Sequence, residues 1–139
     1  MNAPELATWL KLAAAIQLGI AIMNVFLVRL LRWQEPVAGM PLLMREVFLV
    51  HCWFISITLA LFAILTWRFA SEMVGSGNAL AQWLAIGIGV FWLIRTVLQI
   101  TYYSSSHWRG QKGRTLVHVT LLIVYGALAG GYLTAGLAA

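Results

Sequence analysis

The sequence predicts an all-α integral membrane protein, a four-transmembrane-helix bundle in a single domain over residues 1–139. Both termini are expected on the non-cytoplasmic side. Three observations carry this reading. Four apolar runs are each long enough to cross a bilayer. Charged residues make up only 9% of the chain, against 62% hydrophobic residues. The basic residues collect in two of the three connections between the runs. A soluble domain normally carries about 25% charged residues, so a water-facing surface cannot be assembled from this composition.

The apolar runs fall at about residues 8–31, 46–68, 79–103 and 115–137. At about 1.5 Å rise per residue, each covers a hydrocarbon core of roughly 30 Å. Lipid offers no hydrogen bonds to an open backbone, so runs of this length must be helices. The stretches "QEPVAGMP", "SEMVGSGN" and "SSSHWRGQKGR" punctuate them with turn-forming residues. The segment before the first run, "MNAPE", carries Glu5 and no positive charge, which is unlike the basic start of a secretory signal peptide.

Charge bias predicts the orientation. Arg29, Arg32 and Arg45 flank the first connection, and Arg109, Lys112 and Arg114 lie at the third. The other side has only Lys11 and Arg68. The positive-inside rule places the richer side in the cytoplasm, and the expected location is a prokaryotic inner membrane. The net charge of +5 therefore reports orientation and contact with anionic lipid, and no nucleic-acid partner is expected. The one cysteine, Cys52, excludes an intrachain disulfide framework. Trp9, Trp33, Trp67, Trp83 and Trp108 fall near span ends, where indole rings favour the interface. Trp53 and Trp92 lie deeper and are expected to pack, with a possible second use in flanking a flat ligand.

Each span also carries a polar stripe. Arg95, Gln99 and Tyr102 recur at i, i+4 and i+7, which sets them along one helix face. Gln17 and Asn24, His51 and Thr58, and His118 and Tyr125 repeat a seven-residue spacing on the other three spans. Polar atoms are costly against lipid, so the stripes are expected to face the bundle interior. Asn24, His51, Arg95 and His118 fall within roughly 5 to 12 Å of the cytoplasmic edge, counting about 1.5 Å per residue. An arginine at mid-span costs about 2.5–3.5 kcal/mol on insertion scales, so Arg95 needs a partner. Glu46 is the carboxylate nearest its height.

Such a layer suits a redox cofactor or quinone. His51 and His118 are candidate axial ligands of haem b iron, with Arg95 neutralising propionates; a chlorophyll magnesium would take a single histidine. A quinone would use donors from His51, His118, Arg95, Gln99, Tyr102 or Asn24 on its carbonyl oxygens, inside an apolar slot. The closest alternative is a non-catalytic structural or assembly subunit, with other membrane subunits or a second copy as partner. Gly126 and Gly130 form a G-x-x-x-G step in the last span, expected to give its closest helix contact. A third reading is an enzyme acting on a lipid or prenyl substrate, with His107, Arg109 and Arg114 holding a phosphate. The connections contain no carboxylate cluster for a metal-dependent phosphotransferase, no HExxH and no paired cysteines. Ser104–Ser106 beside His107 are too close in sequence for a nucleophile–base geometry.

Overall fold

A computed structural model describes residues 2–102 and 112–137, with the side chains of residues 112–114 left aside. All regular secondary structure among the described residues is helical. Its elements are α1 (Ala3–Val25), α2 (Leu27–Leu30), α3 (Gln34–Ala38), α4 (Leu42–Val74), α5 (Ala79–Thr101) and α6 (Lys112–Leu137). Four of these, α1, α4, α5 and α6, are long and apolar enough to cross a membrane, as a four-helix bundle requires.

The first span starts earlier than its apolar run. Asn2 caps it: its side-chain oxygen accepts from the Glu5 backbone N–H at 3.0 Å, and the Glu5 carboxylate accepts from the Asn2 backbone N–H at 3.0 Å. This reciprocal capping box satisfies two helix-terminal donors and pulls Ala3–Thr8 into the helix. At the other end the helix stops at Val25, where Phe26 leaves helical geometry. The remainder of the predicted run becomes the separate turn α2. That turn closes through Arg32, which takes a left-handed φ of 55° as the Trp33 N–H reaches back to the Val28 carbonyl at 2.8 Å.

α4 has 33 residues, about 50 Å at the usual helical rise, and exceeds the hydrocarbon thickness. Its backbone departs from helical geometry at Phe69, immediately after the end of the apolar run at residue 68. α5 begins under an Asn78 cap, whose side chain accepts from the Ala81 N–H at 3.1 Å.

The chain divides into two compact units. One contains residues 11–68. Here α1 and α4 are joined by Asn24, whose amide nitrogen donates to the Cys52 carbonyl at 2.8 Å and to Ser56 Oγ at 2.9 Å. Gln17, Ala21, Leu59, Ala63 and Thr66 are buried. The other unit contains residues 1–10 and 69–139 and centres on the antiparallel pair α5 and α6. Trp92, Ile88 and Ala85 on α5 are buried, as are Tyr125, Leu128, Tyr132 and Ala135 on α6.

The expected closest contact through Gly126 and Gly130 is replaced by another set of glycines. A Cβ built on Gly126 or Gly130 meets nothing within 4 Å. By contrast, a Cβ on Gly131 would enter the ring of Trp9, and one on Gly136 would meet the Gln82 carbonyl oxygen at 2.9 Å. On the facing helix, a Cβ on Gly89 would lie 2.8 Å from Leu133. The reason is angular. Gly131 and Gly136 flank, on opposite sides, the α6 stripe that buries Leu128, Tyr132 and Ala135, and Gly126 and Gly130 fall on the far side of the helix. Trp9 accordingly packs on Gly131 in place of serving simply as an interfacial anchor. Trp53, expected to pack, is 58% exposed, while Trp33, Trp67 and Trp83 are exposed as lipid-facing or interfacial rings should be.

Candidate functional site in the α5–α6 pair

Arg95, Gln99 and His118 form one hydrogen-bonded line. Arg95 sits one turn before Gln99 on α5, and its guanidinium donates to Gln99 Oε1 at 2.8 Å. Gln99 is only 2% exposed, and its amide nitrogen lies 2.9 Å from His118 Nδ1 on α6. The i, i+4 spacing lets the first pair meet on one face. Antiparallel packing of α6 brings the early residue His118 opposite the late residue Gln99.

The line fixes its own polarity. A guanidinium has donors and no acceptor, so the oxygen of Gln99 must face Arg95. The Gln99 –NH₂ then faces His118, and Nδ1 of that ring must accept. A neutral His118 therefore carries its proton on Nε2. The lone pair that iron would need is engaged with Gln99, which does not suit His118 to ligate a metal through either nitrogen.

Tyr125 completes the arrangement one layer further along the pair. Its ring stacks on Trp92 with centroids 5.2 Å apart and planes at 29°, and Arg95 lies over it with the guanidinium carbon 4.9 Å from the centroid. Phe91 meets Trp92 edge-on at 5.5 Å. Residues 92, 95 and 99 on α5 and residues 118 and 125 on α6 thus build one surface of alternating aromatic and polar groups. The cation of Arg95 is held by an amide oxygen and a ring face. Both contacts reduce the cost of a charge in an apolar region.

The other expected site residues have these surroundings. Tyr102 follows Gln99 at the C-terminal cap of α5 and is 84% exposed, outside the Arg95–Gln99–His118 line. Asn24 belongs to residues 11–68 and spends both amide hydrogens on Cys52 and Ser56. Its partner Ser56 was not singled out from the sequence; its hydroxyl also donates to the Cys52 carbonyl at 2.8 Å. His51, in the same unit, is exposed, and its Nδ1 lies 2.9 Å from the Val47 carbonyl one turn back. Thr58, Thr96, Thr101 and Thr134 all return their hydroxyls to the carbonyl four residues earlier. That is the ordinary way for a helix to satisfy a hydroxyl in an apolar setting, and it removes these groups from the site. His107, Arg109, Ser104–Ser106 and Trp108 lie outside the described residues, as does the side chain of Arg114.

No protein-family model, curated protein or solved structure matches this chain. Among the described residues no group of three or more histidine, cysteine or acidic side chains is placed to hold a metal ion.

Proposed function

We propose that this membrane-spanning helical protein binds a quinone at the Arg95–Gln99–His118 line, as a small subunit of a prokaryotic inner membrane with both termini outside. The observation that carries the reading is the polarity of the line. Arg95 is a fixed donor, and the Gln99 contact makes His118 Nε2 a donor as well. A quinone is an apolar, flat, membrane-soluble molecule whose polar atoms are carbonyl acceptors. Donors set beside the Trp92–Tyr125 stack match both halves of that chemistry. The same tautomer disfavours the bis-histidine haem arrangement, which needs a lone pair on each ring.

The test is purification in mild detergent, solvent extraction, and titration of the stripped protein with a short-chain ubiquinone. Stoichiometric quinone in the extract and saturable rebinding are expected. His118→Ala and Gln99→Leu should each weaken rebinding by about 1–3 kcal/mol, the scale of one lost buried hydrogen bond. A quinone-free preparation that also fails to rebind quinone overturns the proposal.

A non-catalytic assembly subunit is the second reading, favoured by the outward position of Gly126 and Gly130. Small residues left open on a membrane helix allow another helix to approach closely. Under that reading, Gly126→Leu would remove a partner chain from the purified protein and leave quinone binding untouched.

A further inference from the structure

We infer that the Arg95–Gln99–His118 line selects the redox form of its ligand: it takes the oxidised quinone and discriminates against the quinol, with Gln99 as the residue that sets the choice. The inference rests on the quinone reading above and names which member of the couple that site holds.

The two forms differ in hydrogen-bond character. A quinone carbonyl oxygen only accepts. The quinol carries two more electrons and two more protons, so each of its oxygens is a hydroxyl with a proton to donate. Water satisfies both forms, whereas an unmatched donor in an apolar span costs free energy. A site tells the two apart by whether it offers acceptors.

The line uses its acceptors internally. Gln99 Oε1 accepts from Arg95 at 2.8 Å, and Nδ1 of His118 accepts from the Gln99 amide at 2.9 Å. Gln99 is buried, so water does not stand in for either partner. The polar hydrogens beyond these contacts belong to donors, the Arg95 guanidinium and the Nε2–H of neutral His118. Nε2 becomes an acceptor only if the ring proton moves to Nδ1, which sets an N–H against the Gln99 –NH₂. Turning the amide over to receive that N–H sets the –NH₂ against Arg95, which has no acceptor. Each escape places two donors face to face. Gln99 is thus a positioning residue that passes the donor-only character of Arg95 across to α6. A tenfold preference for the oxidised form lowers the midpoint potential of the bound two-electron couple by about 30 mV, so the site holds quinone and gives up quinol.

The experiment titrates a short-chain ubiquinone, and separately the same compound reduced beforehand to its quinol, into quinone-stripped protein in mild detergent under argon. Calorimetry at about pH 8.5, roughly two units above the ordinary histidine pKa, keeps the ring neutral. Wild type should bind the quinone at least tenfold more tightly than the quinol. Gln99→Glu is the reversing variant. Its carboxylate accepts from Arg95 and from Nδ1–H of His118, so Nε2 becomes an acceptor and the quinone-to-quinol affinity ratio should fall at least tenfold. Gln99→Leu lets the ring take either tautomer and should bring the ratio toward one. A residue that merely packs would change both affinities alike and leave the ratio at its wild-type value. Equal affinity of wild type for the two forms, or an unchanged ratio in folded Gln99→Glu, overturns this inference and leaves the quinone reading standing. If Gln99→Glu does not fold, the wild-type ratio decides. Failure of wild type to bind either form overturns the quinone reading and this inference with it.

Discussion

The amide nitrogen of Gln99 and Nδ1 of His118 lie 2.9 Å apart, and this contact assigns a proton to a ring nitrogen elsewhere in the same side chain. Arg95 orients the amide and the amide orients the imidazole. In His51 the ring proton takes the other position, because the acceptor is a backbone carbonyl. Nitrogen-15 NMR of histidine-labelled protein should show His118 protonated at Nε2 and His51 protonated at Nδ1 when both are neutral. The same tautomer in both rings would break these assignments.

Removing the central member of the line should be felt at both ends. Gln99→Leu preserves approximate volume but takes the acceptor from Arg95 and the donor from His118. The expected loss is about 1–3 kcal/mol, the cost of stranding buried polar groups. Unfolding in a denaturing-detergent series would measure it. Gln99→Glu should keep the Arg95 contact and reverse the tautomer of His118, since an ionised carboxylate can only accept and would do so from Nδ1–H.

The glycine assignments predict an asymmetry within one helix. Gly131→Leu drives a side chain into the ring of Trp9, and Gly136→Leu into Ile86 and the Gln82 carbonyl. Each should cost about 1–3 kcal/mol or more, as overfilling does in a close-packed interior. Gly126→Leu and Gly130→Leu meet open space and should unfold within about 0.5 kcal/mol of wild type, the scale of changes away from such contacts. Equal destabilisation at all four positions would contradict the placement of α6.

The spans and their helical character were legible in the chain because lipid imposes strong, local requirements: apolar length and internal hydrogen bonding. The start of α1 was equally legible, since the spacing of Asn2 and Glu5 is a capping box, yet hydropathy alone places the start five residues late. Facing was harder to read. Arg95 and Gln99 share a face with Tyr102 by angle, but Tyr102 lies at the helix end, where the angle no longer guarantees a neighbour. Likewise G-x-x-x-G marks a face that permits close approach without saying which helix uses it. Gly131 and Gly136 are the used positions because their neighbours Tyr132 and Ala135 are buried, a property of three-dimensional contact that spacing does not encode. The tautomers were beyond the sequence for the same reason.

Orientation follows from charge and is open to direct test. With Arg29, Arg32 and Arg45 at one connection and Arg109, Lys112 and Arg114 at another, both connections should face the cytoplasm. Reporter fusions after Ala139 and within residues 109–114 should report opposite sides. A cytoplasmic C-terminus would reverse the topology.

Arg95 and Tyr125 provide the last prediction. The guanidinium sits 4.9 Å from the ring centroid and also donates to Gln99, so it is shared between a ring face and an amide. A desolvated cation–π contact contributes up to about 2 kcal/mol. A double-mutant cycle with Arg95→Leu and Tyr125→Leu should therefore show a coupling of about 0.5–2 kcal/mol in unfolding free energy. Tyr125→Phe, which keeps the ring, should retain most of that coupling. Arg95→Leu by itself should have a modest effect on folding, because leucine suits the apolar surroundings and the cost of holding a charge there disappears. Its effect on binding should be larger: the fixed donor is gone and Gln99 is free to reorient, so short-chain ubiquinone should rebind at least tenfold more weakly. If Arg95→Leu instead abolishes folding and leaves quinone affinity in the surviving protein unchanged, Arg95 is a structural element of the α5–α6 pair and the donor role assigned to it is wrong.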